Sequence, residues 1–305
     1  MALSDGTTNV TSSATIAGGV GKILGDAIIA FNKVNVISPL VTQKIGITGA
    51  KTVEFTDFTI ASHLDVTEAT ESTDTTAQAI ATTARTATLS EHVMQVNISD
   101  LAEQSYGAGG SLGANAGAII GNAISARLDD DLANLFAAGS LSNDACGAST
   151  PLAISHIFDC LRILNASQAP APYNLVLGVK QTYGSKGLRA LIVDDAVSGS
   201  NVAKPFSTFG NAVQGQELAN NGFVTRFAGF DVYTSPQVTE ISGDDEEGCA
   251  FSKGAFGFAT GAEGIMSIET QRDASKRLTE YIGTGVWGET LIKDDFAVSL
   301  TSDVA

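Results

Sequence analysis

Residues 45–97 are rich in strand-forming side chains and poor in anything to bury. From Thr67 to Thr88 nine positions are threonine, a residue that favours strands but brings little apolar area. Strand-like alternation flanks this stretch. Val53 and Phe55 lie in one phase, Phe58, Ile60, Leu64 and Val66 in the other, and Met94, Val96 and Ile98 end a return strand. The one-residue slip between the phases predicts a β-bulge and a bent strand. The segment reads as a long β-hairpin, and an isolated two-stranded ribbon is only marginally stable in water. It needs a surface that it does not itself contain, and that demand limits what the rest of the chain can build.

A body for such a ribbon is available. The chain has 305 residues, 44% hydrophobic and 16% charged, enough for a sizeable core and, by length, for more than one lobe. Residues 1–15 are mostly Ser, Thr, Gly, Asn and Ala and read as a flexible arm. Val20, Ile23, Leu24, Ala27, Ile28 and Phe31 have the spacing of a short amphipathic helix, ended by Ser38-Pro39. Ile120, Ile124, Leu128, Leu132 and Phe136 recur every four residues. They predict one long helix over 114–138, about 37 Å from end to end. A second helix is expected to open with Thr150 as N-cap and Pro151 in its first turn, burying Ile154, Ile157, Phe158, Leu161 and Leu164. Leu175 to Val179 reads as a buried strand, followed by a glycine-broken helical stretch through Leu188, Leu191 and Ile192. Residues 195–222 are polar, Phe223–Val238 is strand-like, and this lobe is expected to close near Glu247. Short strands follow at 256–259, 264–270, 278–285 and 296–301. The fold class is α+β, and no repeat of 20 to 50 residues is visible.

Charge and motifs exclude more than they assign. Asp and Glu number 33 against 17 Lys and Arg, a net charge of −16, the opposite of what phosphate-driven nucleic-acid binding requires. No apolar run reaches spanning length, and the first residues carry no signal-like stretch, so a soluble protein starting in the cytosol is expected, without a membrane partner. Cys146, Cys160 and Cys249 have no zinc or disulfide spacing and read as buried thiols.

Gly18-Gly19-Val20-Gly21-Lys22 lacks the first glycine and the Ser/Thr of a phosphate loop, and the stretch Gly107–Gly113 lacks dinucleotide spacing and a preceding strand. His63, His92 and His156 have no metal-ligand spacing; His63 and His92 can face each other across the hairpin as packing. No nucleophile elbow or cysteine-protease signature occurs. Asp129, Asp130 and Asp131 sit mid-helix and read as a solvated or interface face, cation binding being the competing reading. Asp244, Asp245, Glu246 and Glu247 read as an exposed turn. Three glycosylation sequons carry no information without secretion. No catalytic residue, metal or cofactor is expected. What remains is a protein built around surfaces.

The ordered set of a polar arm, short helix, acidic hairpin, long helix, α+β lobe and β-rich return resembles the HK97-fold major capsid proteins of tailed bacteriophages. Val66-Thr67-Glu68-Ala69-Thr70-Glu71 is similar to the extended-loop tip, and Asn97-Ile98-Ser99-Asp100-Leu101-Ala102-Glu103 to the turn into the peripheral domain. Asn174-Leu175-Val176-Leu177 is similar to the first axial-domain strand, Gly229-Phe230-Asp231-Val232-Tyr233-Thr234-Ser235 to its late β-turn-β, and Val286-Trp287-Gly288 to the final peripheral strands. The resemblance implies an N-terminal arm at 1–44 and an extended β-hairpin loop at 45–97. It places the peripheral domain, with a long spine helix, at 98–145 and 251–305, and the axial domain at 146–250.

It implies hexamers and pentamers of the chain closing into an icosahedral shell around packaged double-stranded DNA that is enclosed without specific binding. It also implies assembly in the host cytoplasm, a portal protein, a decoration or cement protein as a possible partner, and no catalysis. Some members crosslink through an extended-loop lysine; here no lysine occurs between Lys51 and Lys180, so a non-covalent shell is expected. The chain starts at the arm with no acidic, helical scaffolding segment ahead, so a separate scaffolding protein, or one cleaved away earlier, is expected.

Charge suggests how copies meet. Glu54, Asp57, Asp65, Glu68, Glu71, Asp74, Glu91 and Asp100 stand against Arg85 alone, whereas Arg272, Lys276 and Arg277 cluster late in the chain. The loop of one subunit, through Glu68, Glu71 and Asp74, is expected to lie over Arg272, Lys276 and Arg277 of its neighbour. Three alternatives stay open: an encapsulin-like nanocompartment shell on the same fold, an acidic surface or adhesion protein, and an unrecognised hydrolase.

Overall fold

Two β-sheets and one ribbon carry the chain. The computed structural model describes residues 10–11, 35–46, 49–59, 68, 71, 81–106, 112–137, 139–188, 223–238, 241, 244–262 and 266–304. The predicted helix at 20–31, the Gly18–Lys22 loop, His63, Asp74, Gly107–Gly110 and the polar segment 195–222 lie outside the described residues.

The first sheet is six-stranded. It contains β1 (Val10–Thr11), β2 (Thr42–Ile45), β5 (Ser90–Ser99), β10 (Phe256–Thr260), β11 (Met266–Asp273) and β12 (Leu278–Leu291). β12 is its axis. One side pairs antiparallel with β5; the other takes β11 along Leu278–Gly285 and β10 along Trp287–Leu291. β1 adds parallel to β5 at Asn97 and Ile98, and β2 parallel to β10. The segment that follows β5 begins with α1 (Asp100–Tyr106), then α2 (Leu112–Ala133), extended by a 3₁₀ turn at Asn134–Phe136. The four-residue repeat works as expected: Ile120, Ile124, Leu128, Leu132 and Phe136 are all buried. α2 lies so close to β12 that a Cβ at Gly283 would collide with Ile120.

The second sheet is five-stranded, in the order β13 (Ala297–Asp303), β9 (Asp245–Ser252), β6 (Tyr173–Leu177), β8 (Phe230–Thr234), β7 (Phe223–Phe227). Leu175, Val176 and Leu177 are all fully buried, as a strand covered on both faces requires. α3 (Ile154–Ala166) packs Ile157, Cys160 and Leu164 into this lobe, and α4 (Val179–Tyr183) follows β6. The two sheets share a core. Phe136 from the end of the long helix meets Phe251 of β9 and Phe256 of β10, with ring centroids 5.7 and 5.6 Å away.

The ribbon is β3 (Thr52–Thr59) with β4 (Ala81–Thr88), paired antiparallel. Its register runs unbroken from Thr52↔Thr88 to Thr59↔Ala81, so the expected bulge is absent within β3. A ribbon with little to bury on either face does not force its apolar residues into one phase. The return strand also divides at Leu89. β4 belongs to the ribbon, while Met94, Val96 and Ile98 lie in β5, where a ten-residue ladder with β12 holds them.

Three further expectations change. α3 starts at Ile154, not at Thr150 and Pro151, because those residues are drawn to β13. Thr150 accepts from Asp303 N at 2.9 Å, and Pro151 bridges Asp303. On that helix Phe158 is 43% exposed, and Cys160 takes the interior position. The final strand, β13, pairs with β9 in the second sheet, whereas the family resemblance implies one domain made of 98–145 and 251–305. Its alternation fits either sheet, and only the partner distinguishes them. Lastly, Asp245 and Glu246 are buried in β9 instead of forming an exposed turn.

Candidate assembly surface

The ribbon is anchored at its base. Leu89 N donates to Lys51 O at 2.8 Å, closing its base. Phe55, 2% exposed, packs with Ala87 and Ala259 above Gly257, where a Cβ would stand 2.9 Å from the ring. Lys44 Nζ lies 4.9 Å over the Phe55 ring and donates to Glu54 O at 2.9 Å. Past this plug, Thr56 and Thr82 to Thr86 are exposed. Among the described residues, the buried apolar contacts of the ribbon are concentrated at its base.

Of the acidic residues expected near its far end, Glu68 and Glu71 are exposed, and Asp74 lies outside the described residues. The basic turn between β11 and β12 is well built. Asp273 Oδ1 accepts from Ser275 N at 3.0 Å, Ser275 Oγ at 2.7 Å and Lys276 N at 3.2 Å. Arg272 donates through both terminal nitrogens to Asp100, at 2.5 and 2.8 Å. Asp100 N in turn donates to Arg277 O at 3.0 Å. The Arg272 hydrogen bond holds the Asp100 carboxyl below the usual range, as bonding to Ser275 does for Asp273.

Arg272 is thus committed within the subunit, fixing the turn against the start of α1. Lys276 and Arg277 are exposed, with Arg277 Nε 4.0 Å from Asp100. Sequence reasoning grouped Asp100 with the acids of the ribbon. Its real partner is 172 residues away, and no local pattern marks it.

Two members of each acidic run, Asp129 and Asp131, and Asp245 and Glu246, are buried and hold the core together instead of facing solvent. Asp129 is fully buried on α2 and accepts from Val36 N at 2.7 Å and Ile37 N at 3.0 Å, which ties residues 36–37 to the long helix. Burial pushes its carboxyl up to about 6, against those amide bonds. Asp131 accepts from Trp287 Nε1 at 3.1 Å and from Arg127 at 2.7 Å. Glu246 accepts from Lys180 N and Gln181 N at the start of α4, and Asp245 from Ser149 N. A periodic sequence signal could have flagged Asp129, since it falls beside Leu128 and Leu132 on the predicted buried stripe.

Cys146, Cys160 and Cys249 are buried and unbridged, and burial pushes their thiols up, Cys146 to about 11 and Cys160 to about 12. Such thiols are poor nucleophiles. His156 caps α3 through Ala153 N, and His92 stacks on Trp287. Among the described residues no group of three or more His, Cys, Asp or Glu is placed to hold a metal ion, and no helix is long and apolar enough to cross a membrane.

No protein-family model and no curated protein matches the chain. Solved structures do. A capsid structure of the cyanophage P-SCSP1u superimposes with a TM-score of 0.63 at 16% identity, covering 90% of this chain and 89% of that one. A structure of Mycobacterium phage Bobi gives 0.61 at 13% identity over 90% and 92%. The holo-SrpI encapsulin complex from Synechococcus elongatus PCC 7942 gives 0.58 at 14% identity over 100% and 98%. These superpositions extend over nearly the full length of each chain, and the α+β fold of this protein is the HK97 fold.

Proposed function

We propose that this chain is a major capsid protein, a structural subunit and not an enzyme, that assembles into hexamers and pentamers of an icosahedral head enclosing double-stranded DNA. The observation that carries this reading is the ribbon. Among the described residues its buried apolar contact is the Phe55 plug at the base, while Thr56 and Thr82 to Thr86 are exposed, on a fold whose solved examples include phage capsids. Its stabilising surface is then a neighbouring copy, so that folding and assembly are coupled and weak contacts add on closure. Its partners are further copies of itself and a portal protein, with room on the outer surface for a decoration or cement protein. The subunits assemble in the host cytoplasm and end in the virion. The acidic balance suits a DNA container, because an inner wall screened over about 8 Å does not grip phosphate.

Between subunits, Glu68, Glu71 and Asp74 of the ribbon meet the basic turn of a neighbour. Lys276 and Arg277 provide the contact, while Arg272 shapes the turn that presents them. Purified protein should elute in the void volume and show uniform particles in negative stain; a small oligomer under all assembly conditions overturns the proposal. A second reading, an encapsulin-like compartment, draws on the end-to-end match to the Synechococcus elongatus shell. Particles isolated from the natural host separate the two: packaged DNA supports the capsid, a co-purifying enzyme cargo the compartment.

A further inference from the structure

Where the ribbon joins the body, ionisable side chains from three elements converge on the sole tryptophan of the chain. The His92 ring of β5 stacks on Trp287 of β12 with centroids 4.0 Å apart and planes within 8°. His92 Nε2 lies 3.0 Å from Ser90 Oγ and 3.9 Å from Asp131 Oδ2 of α2. The same Asp131 oxygen accepts from Trp287 Nε1 at 3.1 Å, and its other oxygen accepts from Arg127 at 2.7 Å. Asp130 is 3.5 Å from Arg127, and half-buried Glu289 of β12 senses both Asp131 and Arg127. Asp131 is therefore the carboxylate shared by the imidazole edge, the indole N–H and the Arg127 guanidinium. The cluster sits at the base of the ribbon, because His92 follows Leu89 by three residues and Gly288, next to Trp287, packs against the backbone of Thr88.

We infer that His92, Trp287 and Asp131 form a proton-operated latch that fixes the ribbon's base to the long helix. Histidine is the side chain whose charge changes between pH 5 and 8. Neutral His92 stacks on Trp287 but has no charge to offer Asp131. Protonated, it gains the Asp131 carboxylate at its edge and a cation–π contact with the indole face, and β5 is drawn onto α2. Acidification thus stiffens the root of the ribbon, and neutral pH loosens it. The latch acts within one subunit and stands whether or not the shell reading holds.

The unassembled full-length chain supplies both readouts. Trp287 fluorescence reports the imidazole charge directly, and Arg85 is the sole tryptic site between Lys51 and Arg127, so cleavage there reports loosening of β4. From pH 8 to pH 5 the fluorescence should quench in a single step. Over the same step, Arg85 cleavage, normalised to a disordered substrate at each pH, should slow by about threefold, the size expected of one partly exposed charge pair. His92→Phe keeps a stacked ring and should flatten both curves. Asp131→Asn should keep the fluorescence step and flatten the cleavage curve. Cleavage that ignores pH while the fluorescence titrates, or an unchanged cleavage curve in Asp131→Asn, overturns the latch.

Discussion

The ribbon and the second sheet are built from equally β-prone sequence, yet they are stabilised in opposite ways. In β6 the run Leu175, Val176, Leu177 is fully buried and flanked by strands on both sides. In β3 and β4 one aromatic residue, Phe55, and one small residue, Ala87, reach the interior, and the remaining described side chains face solvent or lie partly covered. The second sheet is complete inside one subunit. The ribbon has regular pairing and almost no internal driving force, so its geometry is set at the base and its stability is left to whatever it touches. A strand's conformation and its stability are separable, and the ribbon holds the first without the second.

That contrast can be broken most severely from the sheet. Leu175→Ala should cost about 4 kcal/mol through lost burial and a residual cavity, seen as a large drop in the urea midpoint of the whole subunit. If the midpoint holds, the second sheet is not the stabilising lobe. Next in size, Phe55→Ala should remove about 3 kcal/mol of contact from the ribbon's root. Here the expected readout is local: Arg85 becomes readily cleaved by trypsin while the global midpoint shifts little. A matching global loss would show the ribbon to be part of the cooperative core.

The tie between Asp129 and residues 36–37 is sharpened by pH. Its carboxyl is raised to about 6 in the fold from the ordinary 3.8. Its contribution is therefore fully present below about pH 4 and lost as pH rises through 6, on the order of 3 kcal/mol. Asp129→Asn should remove this portion of the pH dependence in equilibrium unfolding between pH 4 and 7. Asp100 acts in the reverse sense: its lowered carboxyl stabilises the turn at neutral pH and releases it as the solution becomes strongly acidic.

The smallest energies belong to the turn. Lys276→Glu with Arg277→Glu should leave the subunit's melting temperature unchanged and impair particle formation, each exposed pair contributing about 0 to 1 kcal/mol that multiplies over a closed shell. Arg272→Glu should instead loosen the turn itself, because it sets two carboxylates against each other at Asp100. Equal effects of the two changes on subunit stability would erase the distinction drawn between a shaping arginine and presenting cations.

Much of this was legible along the chain, and the reason is locality. The long helix declared itself through Ile120, Ile124, Leu128, Leu132 and Phe136 because a four-residue period needs no distant partner. The poverty of the ribbon was plain in its threonines, and the β7–β8 turn at Gly229, which takes φ +90, was anticipated by the family resemblance. What the tertiary structure alone decided is pairing between remote residues. Asp100 with Arg272, Asp129 with the amides of Val36 and Ile37, His92 with Trp287, and β13 with β9 instead of the first sheet all join segments whose local sequence allows other partners. Hydrophobic periodicity is written into neighbouring residues, whereas the choice of a charge's or a strand's partner depends on which surfaces the folded chain brings together, and that is a property of the whole molecule.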